Sequence, residues 1–361
     1  MPTRVLAGKN CVQANALALK ELGQKALVVT GARSAKINGA QDDVLRALEA
    51  NGQRYTVFDK VMSNPTVQCV YDGAALAQRE GCDCVIAIGG GSPMDAAKVM
   101  ALLAAQGKEI PEDALFVTAY TRTLPLAAVP TTAGSGSEVT QYAILTNDIT
   151  ETKTSIATAL NFPKLALLDA KYLEKVSKTT AINTALDALS HSIEGMLSVR
   201  ASHVSDVLAK ESIALIAGCF GMLQKKQLPA ETREKLLLAS TLGGMVIANT
   251  GTTAVHTMGY SLTYYKNIDH GRANALLLPA FLSFVKKREK RRIAEILACI
   301  GMTTTQEFSD AVNTLLGNRE TLTLEEIEHY AEKAAKAASI GNCLIRLETS
   351  DLVEVLKKSM L

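Results

Sequence analysis

The chain has 361 residues, of which 48% are apolar and 20% are charged, and its formal net charge is +2. That length predicts two domains, because a single core rarely grows so large. Interspersed charges of both signs exclude nucleic acid as the expected partner. Seven scattered cysteines without a C-x-x-C pair, no signal-peptide core and no long apolar run lead us to expect a cytoplasmic protein without a membrane span.

Short apolar runs that end near Gly, Pro or Asp predict β-strands along the first half of the chain. They lie at residues 25–30, 54–59, 84–89, 126–130 and 165–169. Helical patterns fall between them, at residues 15–22, 43–50 and 67–80. Such alternation is typical of a parallel sheet that is covered on both faces. We therefore expect an α/β domain over residues 1–172.

A glycine-rich segment, AIGGGSPMDAAK (residues 87–98), follows the third predicted strand and begins a helix. Ser92 is expected to cap that helix, with Pro93 at its first position and Asp95 at its third. The exposed N–H groups of three glycines at a helix N-terminus attract a phosphate. For this segment taken alone, an ordinary tight strand-to-helix turn is the alternative.

A second loop, VPTTAGSGSEVT (residues 129–140), also follows a predicted strand and is rich in glycine and hydroxyl residues. Taken alone it is equally consistent with a flexible turn. Two such loops at one end of a sheet favour a dinucleotide, because ligands of open α/β sheets bind beyond the carboxyl ends of the strands.

Strand signals disappear from about Lys171, and the second half predicts an all-helical domain over residues 173–361. Its amphipathic stretches lie at residues 180–198, 205–224, 232–249, 273–287, 290–300, 324–338 and 350–359. A basic run, KKREKRR (residues 286–292), interrupts this pattern. We interpret it as a solvated helix surface.

Asp187 and His191 lie four residues apart in an apolar helical stretch, and therefore on one helix face. By itself this spacing favours a hydrogen-bonded Asp–His pair. His256 and His270 also occur in regions poor in charge, where a buried imidazole needs a partner for each ring nitrogen. One oxygen and three nitrogen ligands would suit Fe2+, Zn2+ or another first-row dication. Polar surroundings place the two remaining histidines on the surface: His203 and His329.

Five motifs together resemble the iron-dependent (group III) alcohol dehydrogenase family. GGGSPMDAAK, PTTAGSGSEVT, DALSHSIEG, HTMGYSL and HGRANALLLP occur in the order and spacing of that family, over nearly the whole chain. The resemblance implies α/β plus all-α architecture: an N-terminal Rossmann-like parallel-sheet domain and a C-terminal helical metal-binding domain, as in the dehydroquinate synthase-like fold.

By this resemblance, the metal ligands are Asp187, His191, His256 and His270. The implied cofactor contacts lie on the two loops and at two polar positions outside them: Asn64, Gly90, Gly91, Ser92, Asp95, Thr131, Thr132, Ser135 and Lys153. The implied metal is Fe2+, with Zn2+ as the alternative. A homodimer or a higher homo-oligomer is also expected from the family.

Two positions depart from the family pattern. Many members carry a second histidine four residues after the third ligand, and here Tyr260 stands there. We expect Tyr260 and His270 to be catalytic, with the tyrosine able to relay a proton. The first predicted strand ends in Gly31 rather than an acidic residue, with Arg33 and Lys36 nearby. An acidic residue would repel a 2′-phosphate, so its absence predicts NADP(H) rather than NAD(H).

The expected reaction is hydride transfer between a nicotinamide and a small alcohol or aldehyde bound to a divalent metal. A glycerol-dehydrogenase-like enzyme or a hydroxy-acid dehydrogenase of the hydroxybutyrate type remains an alternative on the same scaffold. Dehydroquinate-synthase-like cyclases would need more basic residues near the metal, and maleylacetate reductases lack the metal ligands. A remote alternative is a protein without enzymatic activity that holds a structural metal.

Overall fold

The computed structural model describes residues 1–106 and 109–361, which form two compact units. The first unit comprises Met1–Thr132 and Gly136–Val176, and the second comprises Ala133–Ser135 and Ser177–Leu361. The division expected after residue 172 stays a prediction. Among the described residues, no helix has the length and apolarity that a membrane crossing requires.

The first unit contains a six-stranded parallel sheet with the strand order β1-β8-β5-β4-β2-β3, and a separate antiparallel pair formed by β6 and β7. The strands are β1 Arg4–Ala7, β2 Lys25–Gly31, β3 Arg54–Val61, β4 Cys84–Gly89, β5 Leu126–Pro130, β6 Tyr142–Asn147, β7 Thr152–Ala157 and β8 Leu165–Leu168. The helices of this unit are α1 Cys11–Ala14, α2 Ala16–Lys20, α3 Ser34–Ile37, α4 Ala40–Ala50, α5 Val67–Glu80 and α6 Gly91–Ala105.

Side chains of the central strands alternate between two buried layers, as a sheet covered on both faces requires. Val29 and Val85 point into the layer that α5 and α6 cover. Val28 and Ile86 point into the opposite layer, with α1, α2 and α4. This confirms the parallel sheet that the apolar runs predicted, because each of the five runs forms a strand of it.

Three strands were missed by the sequence analysis. β1 is a four-residue edge strand whose apolar run has only three residues, which is too short to distinguish a strand. β6 and β7 form a hairpin in which buried and partly exposed residues alternate in β6, and only Ile156 of β7 is buried. Both strands contain threonines and other polar residues, so the alternation of buried and partly exposed positions does not give the continuous apolar run that predicted the other strands.

The second unit is helical throughout its described elements. Its helices are α7 Lys178–Met196, α8 His203–Ala217, α9 Phe220–Gln224, α10 Ala230–Thr250, α11 Ala254–Lys266, α12 His270–Val285, α13 Lys290–Ile300, α14 Thr305–Leu316, α15 Leu324–Ala335 and α16 Thr349–Met360. The predicted all-helical domain is confirmed. Two helices were missed. α11 is buried on almost every side and therefore shows no polar face, whereas α14 was overlooked although its buried residues recur at helical spacing.

The basic run at the end of α12 and the start of α13 forms ion pairs with acidic residues of the same unit. Lys287 lies 2.6 Å from Glu354, and Arg292 lies 2.6 Å from Asp206. These contacts account for the run as a charged helix surface, which is what its composition predicted. His203 and His329 are exposed, also as expected.

Candidate metal centre and nucleotide loops

Three side chains from three helices converge inside the second unit. Asp187 lies on α7, His256 on α11 and His270 at the first position of α12. One potential ligand atom from each lies within 4.8 Å of the others. Nε2 of His256 is 3.6 Å from Oδ1 of Asp187, and Nε2 of His270 is 3.9 Å from the same oxygen. Four-coordinate bonds of about 2.0–2.2 Å place ligand atoms roughly 3.3–3.6 Å apart, so these three atoms suit one shared dication.

Burial supports the same conclusion. Asp187 is 6% exposed and His256 is 2% exposed. Within the described part of the chain, Nε2 of His256 has no hydrogen-bond partner. Buried polar atoms are almost always paired, and a metal ion is one partner that a ring nitrogen accepts. The donor set therefore fits a divalent metal.

His191 lies one helical turn after Asp187 but outside the group of three. Its ring stacks on His256, with 4.6 Å between the ring centroids and 19° between the planes. Burial lowers the pKa of His191 to about 4, although Asp187 opposes the shift, so the ring is neutral near pH 7. A neutral imidazole is the form that binds metals. The four-ligand set remains a prediction.

Glu194 is a site residue that the sequence analysis missed. It is completely buried on α7, and its carboxylate contacts Nδ1 of His256. Burial alone raises the pKa of Glu194, but the charge of His256 and hydrogen bonds from Thr253 hold that pKa below its usual value. In turn, burial disfavours protonation of His256, yet Glu194 and Asp187 raise its pKa to about 9. A carboxylate inside the apolar run DALSHSIEG was the signal in the sequence.

Two further side chains lie against this centre. Asn274, on α12, donates from Nδ2 to Oδ1 of Asp187 over 2.9 Å and lies 3.3 Å from Nε2 of His270. The ring of Tyr260 is nearly parallel to that of His270, with 5.5 Å between centroids. The two residues predicted to be catalytic are therefore neighbours. Asn274 was not identified from the sequence.

Two glycines allow the helices around the centre to approach closely. A Cβ atom on Gly271 would lie 2.2 Å from the backbone oxygen of Asn183 on α7. A Cβ atom on Gly259 would lie 2.2 Å from Oδ1 of Asn274. Contacts this short do not occur between real atoms, so α12 can pack against α7 and α11 in this way only without those side chains.

In the first unit, the glycine segment joins β4 to α6. Gly89 ends the strand with φ at +153°, a region that favours glycine. The helix begins at Gly91 with Gly90 as its N-cap, so the predicted cap at Ser92 is wrong by two positions. The start of the second loop is hydrogen-bonded to this turn, because the N–H of Thr131 donates to the oxygen of Gly89 over 2.9 Å. A Cβ atom on Gly90 would lie 2.8 Å from Oγ1 of Thr132.

Asp95 has a different role from the capping one that its spacing predicted. Its two carboxylate oxygens accept hydrogen bonds from Oγ of Ser137 at 2.6 Å and from the N–H of Ile144 at 3.1 Å. It thus ties α6 to the second loop and to β6. Ser135 is partly buried and belongs to the second unit.

Three predicted cofactor residues from distant parts of the sequence meet beside the glycine turn. The N–H of Asn64 donates to Oγ of Ser92 over 3.3 Å, and Nζ of Lys153 donates to Oδ1 of Asn64 over 2.5 Å. Asn64 adopts a left-handed backbone conformation with φ at 57°. Polar groups and a cation therefore lie close to the N-terminus of α6, where a phosphate is favoured.

The predicted 2′-phosphate residues follow β2, which lies between β3 and β4. The strand order reverses at β2 and β4, and such a switch point is where open α/β sheets bind ligands. Gly31 ends β2, and the side chain of Arg33 is exposed. Lys36 forms an ion pair of 2.7 Å with Asp59 on β3. Its charge is thus already balanced, which the sequence analysis did not foresee.

A glycine turn at a sheet switch point suits a nucleotide, and a buried Asp–His–His group suits a metal, so the two features together fit a metal-dependent enzyme that uses a nucleotide. Sequence profiles agree: that of the iron-containing alcohol dehydrogenases matches residues 2–170, and that of the C-terminal region of the same family matches residues 181–360. The chain belongs to the iron-containing alcohol dehydrogenase family. It is a metal-dependent alcohol dehydrogenase, which acts on CH–OH groups.

Relatives and solved structures support this assignment. A 1,3-propanediol dehydrogenase of Klebsiella pneumoniae is 35% identical over 78% of this chain and 73% of its own length. An NADPH-dependent butanol dehydrogenase of Clostridium saccharobutylicum is 31% identical over 88% of this chain and 81% of its own. The crystal structure of an iron-containing alcohol dehydrogenase from Thermotoga maritima is 34% identical, covers 100% of this chain and 98% of its own, and superposes with a TM-score of 0.92.

Proposed function

We propose that this enzyme transfers hydride between NADP(H) and a small alcohol or aldehyde. The observation that carries the proposal is the convergence of ligand atoms from Asp187, His256 and His270 within 4.8 Å of one another. We further propose that His191 completes the ligand set, because its neutral ring stacks directly on His256. A bound dication would lower the pKa of a substrate hydroxyl and stabilise charge on a carbonyl oxygen.

The chain's own residues would hold a metal ligand in position, move the substrate proton and exclude water. Asn274 holds Oδ1 of Asp187 in place through its hydrogen bond. Tyr260, which is partly exposed and stacks on His270, offers a hydroxyl that would pass the substrate proton to solvent. The apolar, buried surroundings of α11 and α12 keep water away from His256.

The preference for NADP(H) is proposed from the end of β2. No acidic side chain follows that strand directly, since Gly31 stands there, and Arg33 offers an exposed cation. The relatives include an NADPH-dependent butanol dehydrogenase and an NAD-dependent methanol dehydrogenase, so the preference is argued from the end of β2 and not from similarity. The ion pair of Lys36 with Asp59 leaves Arg33 as the main source of positive charge. We expect kcat/KM to be higher with NADPH than with NADH at equal aldehyde concentration, and the reverse order would refute the preference.

For the substrate, we propose short alcohols and diols. The relatives are named for 1,3-propanediol and butanol, and both molecules are small and uncharged. A hydroxy acid would need a cation to bind its carboxylate. Near the centre, Arg272 is occupied by Glu320 at 2.6 Å, and Lys266 by Glu326 at 2.7 Å. Comparing kcat/KM for 1,3-propanediol, butanol and 4-hydroxybutyrate distinguishes an enzyme for short alcohols and diols from one for hydroxy acids.

A homo-oligomer in the cytoplasm remains part of the proposal. Val204 and Val207 on α8 and Leu238 on α10 are exposed apolar side chains, and such side chains favour subunit contacts. Light scattering coupled to size-exclusion chromatography measures the mass directly. A monomer at micromolar concentration would contradict the oligomer.

Metal reconstitution tests the function as a whole. Protein stripped by a chelator should lose turnover, and Fe2+ and Zn2+ should be added back separately, with the metal content measured. Recovery with one ion identifies the active metal. Full activity in protein shown to be metal-free would remove the proposed chemistry.

A further inference from the structure

The carboxylate of Glu194 lies between the first turn of α11 and the ring of His256, and its two oxygens have separate partners. Oε1 accepts from the N–H of Thr253 at 2.9 Å, from Oγ1 of Thr253 at 2.6 Å and from the N–H of Val255 at 3.1 Å. Oε2 contacts Nδ1 of His256. Helix N-termini carry N–H groups without intrahelical partners, so Oε1 serves as the cap of α11.

Because Oε2 is left for the ring, the carboxylate determines which nitrogen of His256 carries a proton. An ionised carboxylate only accepts hydrogen bonds, so its contact with Nδ1 requires an N–H at that position. Once the ring is neutral, as metal binding requires, its lone pair lies on Nε2. That atom lies 3.6 Å from Oδ1 of Asp187, beyond hydrogen-bond length, and lacks a hydrogen-bond partner within the described residues.

We propose that Glu194 is a positioning residue that holds His256 as the Nδ1–H tautomer and so directs Nε2 at the metal. The inference rests on the proposed metal centre and adds to it a residue that touches neither metal nor substrate. The attachment is rigid at both ends. Glu194 is fixed on α7, the helix of Asp187, and through Oε1 it also anchors the start of α11, the helix of His256.

Glu194→Gln separates the two roles. The amide oxygen can still cap α11, but the amide nitrogen then faces Nδ1 and donates to it. The proton of His256 must move to Nε2, where it blocks coordination. We expect Zn2+ affinity, measured by competition with a chelating dye on the full-length protein, to fall about 10- to 100-fold. The visible spectrum of the Co2+-loaded variant should change, whereas NADPH affinity should not.

Ser192→Ala provides a matched control on the same helix. Ser192 is completely buried, and its hydroxyl lies 2.7 Å from that of Ser212 on α8. This variant loses a buried hydrogen bond without touching the centre. Its Zn2+ affinity and Co2+ spectrum should equal those of the wild type, even if its melting temperature falls. A loss equal to that of Glu194→Gln would mean that disturbing α7 is sufficient, and would overturn the proposal.

Nitrogen-15 NMR of the histidine rings decides the tautomer directly. In Zn2+-loaded wild-type protein, the proton of His256 should reside on Nδ1, and this measurement is valid even if Glu194→Gln does not fold. Unchanged Zn2+ affinity in Glu194→Gln overturns the proposal while leaving the metal centre intact. A proton on Nε2 in the Zn2+-loaded wild type overturns both the proposed tautomer and His256 as a metal ligand. Failure of the wild type to bind Zn2+ or Fe2+ overturns the centre itself, and the role of Glu194 with it.

Discussion

The nucleotide loops and the metal centre are built in opposite ways. The glycine turn between β4 and α6 relies on backbone groups within a few consecutive residues, so its composition reveals it. The metal centre relies on side chains from three helices, and its contact between Glu194 and His256 joins residues 62 positions apart. A site built from backbone is encoded locally, whereas a site built from side chains depends on how the helices pack.

His256→Ala is the most severe test of this difference between the metal centre and the nucleotide loops. Removing this ligand should eliminate turnover and most of the bound metal, because two remaining side chains of the group hold an ion poorly. Binding of NADPH should persist, since the glycine turn and most of the second loop lie in the other unit. Metal analysis and fluorescence titration with NADPH measure the two effects. Equal loss of both would show that the two regions are not independent.

Lys98→Met should have the next largest effect. Nζ of this buried lysine donates to Oγ of Ser137 at 2.7 Å and to the oxygen of Tyr142 at 2.7 Å. Burial lowers its pKa to about 8, while Asp95 opposes that shift. Removing the amine leaves the oxygens of Ser137 and Tyr142 without this donor and the carboxylate of Asp95 without the charge of this lysine. We therefore expect the free energy of unfolding to fall by about 3–5 kcal/mol.

Urea denaturation measures that loss, and Lys210→Met is its control. Lys210 is a surface residue whose amine lies 3.9 Å from Glu295. Exposed pairs contribute at most about 1 kcal/mol, so this variant should be close to the wild type. Similar stabilities for the two variants would show that the network of Lys98 does not hold the second loop.

Gly271→Ala tests the packing that brings the metal ligands together. The new methyl group would meet the backbone oxygen of Asn183, which cannot rotate away. We expect a destabilisation of about 1–3 kcal/mol and weaker metal binding, because α7 and α12 must separate. Gly221→Ala is the matched control, since a Cβ atom there has open space around it. Thermal melts with and without Zn2+ distinguish the variants, and wild-type metal affinity in Gly271→Ala would contradict the close-packing explanation.

The smallest effect is expected at the cofactor's 2′-phosphate. Arg33→Ala should raise the KM for NADPH about two- to fivefold, as for one exposed ionic contact, and leave the KM for NADH unchanged. Lys36→Ala should do less, because Asp59 already pairs with Lys36. Steady-state kinetics with both cofactors provide the comparison. A larger effect at Lys36 would mean that its ion pair opens to bind the cofactor.

The sequence by itself determined the elements whose signals are local. Apolar runs predicted five strands of the sheet, helical periodicity predicted α5 over its full extent at Val67–Glu80, and glycine clusters marked both loops. Motif resemblance predicted Asp187, His191, His256 and His270 as metal ligands, and the structure brings Asp187, His256 and His270 together as a group that could hold a metal ion. These features need only neighbouring residues, because periodicity and turn chemistry act over one or two turns of chain.

Only the tertiary structure decided which polar groups face each other. The pairing of Lys36 with Asp59, the anchoring of Asp95 by Ser137 and the contact of Glu194 with His256 all join elements that are distant in sequence. β1 likewise exists only because β8 supplies its hydrogen bonds. A buried charge or edge strand is stabilised by the partner that folding places beside it, and no local pattern specifies that partner.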